Sequence, residues 1–313
     1  DPMAPFARLV GGEWKMTAAS GTSMYDTWHW GPGRHSLRAM THGEAADHSP
    51  WRELRVLYWH PGRKQVCLLG VGPFQRSVWE GTMKFDGETA EALADLHQSG
   101  PRHRRMRVRW TFDGPDTYHE ELLEATGAKG FEHLAAWDRF RSRPAAPTPV
   151  QPNPATNLAA PPVPSEFLKA LEPLLGHTWG AAGIPELEWA AGPDLRSTVE
   201  WIPYADYLYV RVAAPVKDAE PAHVLDAYIY HHTETGKLRC LALSSRGGVY
   251  EGDIAVRGGG ALEIDLKGYE GDRVVPYAVR FSFVKGGDLS QRVWSVKDSE
   301  RTLLFELRHK RAE

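Results

Sequence analysis

Apolar and polar residues alternate along most of this chain, and the alternation comes in short runs broken by turn signals. Segments such as Thr27-Trp28-His29-Trp30, Val78-Trp79-Glu80-Gly81 and Arg109-Trp110-Thr111-Phe112 place a large ring or aliphatic group at every second position. That is the period of a strand with one buried and one polar face. Gly31-Pro32-Gly33, Pro61-Gly62, Asp86-Gly87, Asp113-Gly114-Pro115 and Lys285-Gly286-Gly287 punctuate the runs as turns. Many short strands with hardly a helix between them predict antiparallel sheet, closed as a barrel or folded as a sandwich.

The pattern occurs twice. Thr27–Trp30 lies on Thr198-Val199-Glu200-Trp201, Val78–Gly81 on Val249-Tyr250-Glu251-Gly252, and Arg109–Phe112 on Arg280-Phe281-Ser282-Phe283, all at one offset of about 171 residues. Leu9-Val10-Gly11-Gly12-Glu13-Trp14 likewise resembles Leu174-Leu175-Gly176-His177-Thr178-Trp179. A constant offset across separated segments marks a duplication. Between the copies, residues 142–164 hold prolines too dense for helix or sheet and read as an extended tether. The expected organisation is a first domain over 1–141, the proline-alanine linker 142–164, and a second domain over 165–313.

Duplication also settles a local ambiguity. Glu88–His97 has helical composition, but its counterpart Ala261–Lys267 alternates like a strand after a Gly-Gly-Gly turn, so both are expected as strands. Before the first strand each copy has a short helical stretch. In the second copy Ser165 is expected to cap Glu166–Leu171, with Pro173 ending it.

Alternation sorts the side chains. Trp28, Trp30, Trp79, Gly81, Met83, Phe85, Met106, Val108, Trp110 and Phe112 share one face, matched by Val199, Trp201, Tyr250, Gly252, Ile254, Val256, Tyr277, Val279, Phe281 and Phe283. This face is expected inside. Thr27, His29, Glu80, Lys84, Arg107 and Arg109, and in the second copy Thr198, Glu200, Glu251, Ala278 and Arg280, fall outside. Cross-strand ion pairs Glu80–Arg109 and Glu251–Arg280 are expected there.

A short helix, a Gly-x-Trp (Gly12-Glu13-Trp14) and a run of antiparallel strands over each copy resemble the calycin superfamily of lipocalin-like barrels; Gly176-His177-Thr178-Trp179 departs from the signature by one residue. The wider pattern resembles uncharacterised bacterial lipocalin-like domain proteins. The resemblance implies a mainly β chain of two tandem antiparallel barrels. It also implies that the tryptophan closes one barrel end beneath a basic residue of the last strand, for which Arg139 or Arg141, and Arg308, are available.

Composition adds exclusions. A net charge of −3 offers no general attraction to nucleic acid or anionic membrane, and the run from Arg102 to Arg109 reads as a solvated strand face. No apolar stretch is long enough for a membrane span. Met3 reads as an original start, which makes the cytoplasm the expected compartment, with export after cleavage before Asp1 left open. Cys67 and Cys240 fall in apolar runs at matching positions of the two copies and are expected as buried free thiols.

Chemistry is sparse. Nine of the fourteen histidines lie in the first copy, including His29, His35, His42, His48 and His60, and none has metal-ligand spacing; His231-His232 has none either. No metal and no cofactor is expected: no phosphate loop or dinucleotide fingerprint occurs, and a haem would need an inward histidine, whereas His29 falls outside. Glu120 and Glu121 point to opposite faces. What remains is the ring-rich interior. Trp28, Trp30, Trp79, Met83, Met106, Trp110 and Phe112, with Trp201, Tyr250 and Phe281, are the candidate ligand-binding residues for a hydrophobic or aromatic small molecule, with the first copy favoured. Two alternatives stand beside this reading. One is a metal-independent cyclase, isomerase or hydratase on a hydrophobic substrate, with Tyr25, His29, Arg38 or Tyr228 as polar contributors. The other is an interaction protein with filled barrels.

Overall fold

In a computed structural model the alternating segments form twenty strands in two closed antiparallel barrels of ten strands each. The structure describes residues 1–17, 23–44, 50–72, 77–99, 103–127, 130–142, 165–181, 195–203, 205–216, 219–284 and 287–312. The proline-rich tether beyond residue 142, Arg102, His48 and part of the Lys285–Gly287 turn lie outside them.

The first barrel runs β1 (Glu13–Thr17), β2 (Ser23–Trp30), β3 (Ser36–Glu44), β4 (Pro50–His60), β5 (Gln65–Gly72), β6 (Ser77–Asp86), β7 (Thr89–His97), β8 (His103–Phe112), β9 (Thr117–Ala125) and β10 (Phe131–Ser142). The second runs β11 (Thr178–Ala181), β12 (Leu195–Ile202), β13 (Tyr207–Val216), β14 (Ala219–His232), β15 (Lys237–Ser244), β16 (Val249–Val256), β17 (Leu262–Glu270), β18 (Arg273–Phe283), β19 (Leu289–Lys297) and β20 (Glu300–Ala312). Each strand pairs with its sequence neighbours, and first closes on last. The chain is mainly β, with β7 a strand as its counterpart in the other copy demands. Among the described residues no helix is long and apolar enough to cross a membrane.

A short 3-10 helix precedes each barrel, Ala4–Leu9 and Lys169–Leu174. In the second copy the helix starts later than the sequence suggests. Ser165 caps nothing with its side chain, and Pro173 sits inside the helix rather than ending it. Each helix plugs a barrel end over the first-strand tryptophan. Trp14 Nε1 donates to Leu9 O at 2.8 Å, and Trp179 Nε1 to Leu174 O at 3.2 Å. The basic residue over the ring is the one directly opposite in register: Arg141, 4.5 Å from the Trp14 ring, and Arg311, 5.4 Å from the Trp179 ring. Arg308 is not that residue; it pairs with Asp288 at 2.7 Å.

The barrels meet through their outer faces. Leu54, Val56, Tyr58, Cys67 and Leu69 of β4 and β5 pack with Tyr207, Tyr228, Tyr230, Leu241 and Leu243 of β13 to β15 in one buried cluster. Strands such as β5 are therefore apolar on both sides, which is why Val66–Leu69 reads as a continuous run. The turn at Gly33 seats against the second barrel so closely that a Cβ there would lie 1.8 Å from Ser245 O.

Two expectations about outward groups fail. β6 and β8 are separated by β7, so Glu80 and Arg109 are not cross-strand neighbours. Arg109 instead pairs with Glu91 on β7 at 3.1 Å, and Arg280 lies 3.9 Å from Glu263 on β17. Glu80 and Glu251 turn to the other barrel, to Arg239 at 2.9 Å and Arg63 at 3.0 Å. The cysteines, both buried and free, are also one register apart. Leu68 and Cys240 each oppose the strand glycine, Gly81 or Gly252, so Cys240 faces its barrel's core while Cys67 faces the seam.

Candidate functional site

The rings assigned inward do lie inside, and in the first barrel they fill the space. Trp28, Met83, Trp110 and Phe112 are core, with Trp30, Trp79 and Phe85 packed against them; Met106 is buried too. Ring contacts form a chain: Trp28–Trp110 at 5.9 Å, Trp110–Tyr118 at 5.7 Å, Phe112–Tyr118 at 5.2 Å and Trp14–Tyr118 at 4.8 Å. Bulky rings pack against one another within this barrel.

Above the rings the same inward face carries charge. Arg139 pairs with Asp26 and, at 2.6 Å, with Glu120; all three are buried. Arg55 reaches Glu120 at 3.4 Å and Glu53 at 2.8 Å. Burial raises the Glu120 carboxyl, yet the Arg139 and Arg55 guanidinium groups outweigh it and hold the group below its ordinary range. Strand parity was the missed signal, since Asp26 shares the face of Trp28, and Glu120 that of Tyr118.

The second barrel replaces this network by neutral groups at the equivalent register positions. Asp26 becomes Ser197, Glu120 becomes Gln291, Arg139 becomes His309, Arg55 becomes Ala227 and Glu53 becomes Leu225. All five line a cavity of about 250 Å³ whose walls are otherwise aliphatic and aromatic, among them Val199, Ile229, Val279 and Phe305. Of the candidate residues, Tyr250 and Phe281 line it. Trp201 packs against the same core but donates to Asp206 at 3.3 Å nearer the barrel end. Val256 is exposed at 45%, against the expectation that it points in.

His309 is thus an inward histidine, so the argument against one from His29 does not extend to the second barrel. Its Nε2 donates to Gln291 Oε1 at 2.7 Å, and burial pushes its pKa down to about 4. Unfolded, the imidazole takes its proton near 6.5; folded, it does so only near 4. Between those values only the unfolded chain gains the proton, so acidification withdraws stability. The loss begins below pH 6.5 and is complete below about pH 4, reaching about 3 kcal/mol. Denaturant unfolding of wild type and His309→Gln at pH 7 and pH 4.5 is expected to show a smaller acid loss in the variant.

The polar contributors named for an enzyme do not enter this cavity. Arg38 stacks over Tyr209 at 4.2 Å in the seam, near Tyr228, whose buried hydroxyl has no hydrogen-bond partner among the described residues. Tyr209 donates to Asp226 at 2.5 Å, and His223 lies 2.7 Å from the same oxygen. His29 is exposed, and Tyr25 stacks on His42 at 5.3 Å. Arg104, Arg107 and Arg109 each face a carboxylate, so that basic run is a balanced strand face.

The seam holds one more convergence that local spacing hides. Glu80, His97 and His232 bring ligand-type atoms within 4.8 Å of one another.

No protein-family model matches the chain, and no curated protein matches it. Among solved structures, Rv2717c from M. tuberculosis is 16% identical over 45% of this chain and 98% of its own, with a TM-score of 0.32. The redesigned beta barrel mFAP1, bound to DFHBI, is 17% identical over 43% of this chain and 97% of its own, TM-score 0.23. A protein of unknown function from the DUF3598 family of Nostoc punctiforme is 11% identical over 100% of this chain and 99% of its own, TM-score 0.22. At these values none bears on what this chain binds.

Proposed function

We propose that the chain is a binding protein for a hydrophobic small molecule, held inside the second barrel rather than the first. The observation that carries this reading is the 250 Å³ cavity, apolar except where Ser197, Gln291 and His309 meet on one wall. An apolar enclosure with a few placed polar groups is the ordinary form of a small-molecule site. The contrast within the chain supports it: where the first barrel spends the same positions on Arg55, Glu120 and Arg139, the second leaves room and removes charge. A flat or branched apolar body with one hydrogen-bonding group facing Gln291 fits the lining.

The test uses a hydrophobic fluorophore titrated into the full chain, with native mass spectrometry of the purified protein. Ala227→Met sets a long side chain where the first barrel carries Arg55, and is expected to weaken binding at least about tenfold while leaving thermal stability equal or higher, since it fills empty volume. Trp28→Phe in the first barrel is expected to leave binding unchanged. Binding that survives Ala227→Met but falls with Trp28→Phe would move the site to the first barrel; no binding in wild type would end the proposal.

A further inference from the structure

The seam has a hidden twofold. Exchanging the halves maps Glu80 on Glu251 and His232 on His60, because each glutamate precedes the same strand glycine and each histidine ends the equivalent strand. Each glutamate faces the histidine of the opposite barrel: Glu80 Oε2 lies 3.6 Å from His232 Nε2, and Glu251 Oε1 lies 3.7 Å from His60 Nε2. The third position differs. The residue opposite Val78 is His97, and the residue opposite Val249 is Tyr269. Both rings lie on the histidine, His97 at 4.8 Å from His232 and Tyr269 at 4.4 Å from His60. One half of the seam therefore holds a Glu–His–His set, while the other holds Glu–His–Tyr.

We infer that Glu80, His97 and His232 form a site for a divalent cation of the zinc type, bridging the two barrels. Two imidazoles and a carboxylate are a borderline donor set that suits Zn²⁺ and leaves a position open. The carboxylate is prepared for the role. Tyr230 OH and Arg239 Nη1 both donate to Glu80 Oε1, at 3.0 and 2.9 Å, which fixes the group and leaves Oε2 toward the histidine. His97 Nδ1 lies 2.9 Å from Glu234 Oε2, so an ion on the other ring nitrogen puts the Nδ1 proton against a carboxylate, the usual outer partner of a zinc-bound histidine. His232 Nδ1 accepts from Thr235 N at only 3.4 Å, so giving up that contact for a protonated Nδ1 costs little. Both histidines are nearly sealed from solvent. The ligand atoms must draw together from their 4.8 Å spread, a movement within reach of side-chain rotation.

Divergence between the halves supplies the test. The full chain, stripped with a chelator and dialysed, is titrated with ZnCl₂ by calorimetry and with CoCl₂ by visible absorption. Wild type is expected to take one ion and to unfold at a higher temperature with it. His97→Tyr, which installs what Tyr269 is in the other half, is expected to keep the fold and weaken binding by more than about 100-fold, beyond the usual cost of losing an outer partner. Glu234→Gln is expected to weaken it by about tenfold. Tyr269→His completes the second set and is expected to raise the stoichiometry to two. A wild type that takes no ion, binding untouched by His97→Tyr, or a Tyr269→His chain that stays at one ion would each overturn the assignment.

Discussion

Arg139→Leu is expected to lower the stability of the first barrel by about 3–5 kcal/mol. The leucine fits an apolar interior, but it takes from buried Asp26 its paired cation and leaves buried Glu120 only the longer contact with Arg55 at 3.4 Å. Removing one partner of a buried pair costs more than the pair contributes, because the remaining charge keeps its desolvation penalty. The comparison that isolates the cause is written in the other half of the chain. Asp26→Ser, Glu53→Leu, Arg55→Ala, Glu120→Gln and Arg139→His together import the second barrel's neutral set and strand no charge. That fivefold variant is expected to recover most of the loss, measured by denaturant unfolding followed through tryptophan fluorescence. Were it as unstable as Arg139→Leu alone, stranded charge would not be the reason.

Gly252→Val is expected to cost the second barrel about 3 kcal/mol or more, at the upper end for overpacking. A Cβ at Gly252 would sit 1.9 Å from Asp265 O, and one at Gly81 would sit 2.2 Å from Leu93 O. In each case the obstacle is the backbone of the paired strand, which cannot move aside without breaking the ladder. This explains why the same glycine follows Glu80 and Glu251 in both copies: the strands approach too closely there for any side chain. Thermal unfolding with hydrogen exchange over β17 measures the effect. Gly258→Val is the control, since nothing lies near its Cβ, and its effect is expected to stay below about 1 kcal/mol.

The barrels were legible because strand period and duplication check each other. Glu88–His97 alone has helical composition; its counterpart, which alternates like a strand, decides the matter for both. The inward face was legible for the same reason, as Trp28, Trp110, Val199 and Phe281 occupy matched positions. Its continuation was not, because charge at Asp26, Glu120 and Arg139 contradicts the simple rule that interiors are apolar, although parity places those residues there. The location of the cavity escaped because counting rings favours the barrel with more of them, whereas large rings consume volume and Val, Ile and Ala leave it. The seam escaped because β5 is apolar on both faces, which says that something covers it without saying what. Single-residue slips between copies then misalign Cys67 with Cys240, and Glu80 is separated from His232 by about half the chain. Short-range spacing cannot reveal a cluster assembled over such a distance.

Closure of both barrels has a further consequence. A sealed cylinder of strands has no hydrogen-bonding rim to share, so the two halves meet without pairing strands across the seam. A substitution at that contact re-registers no strand and disturbs no ladder. The two halves can therefore differ in chemistry where they touch, His97 in one and Tyr269 in the other, while both keep ten strands in the same order.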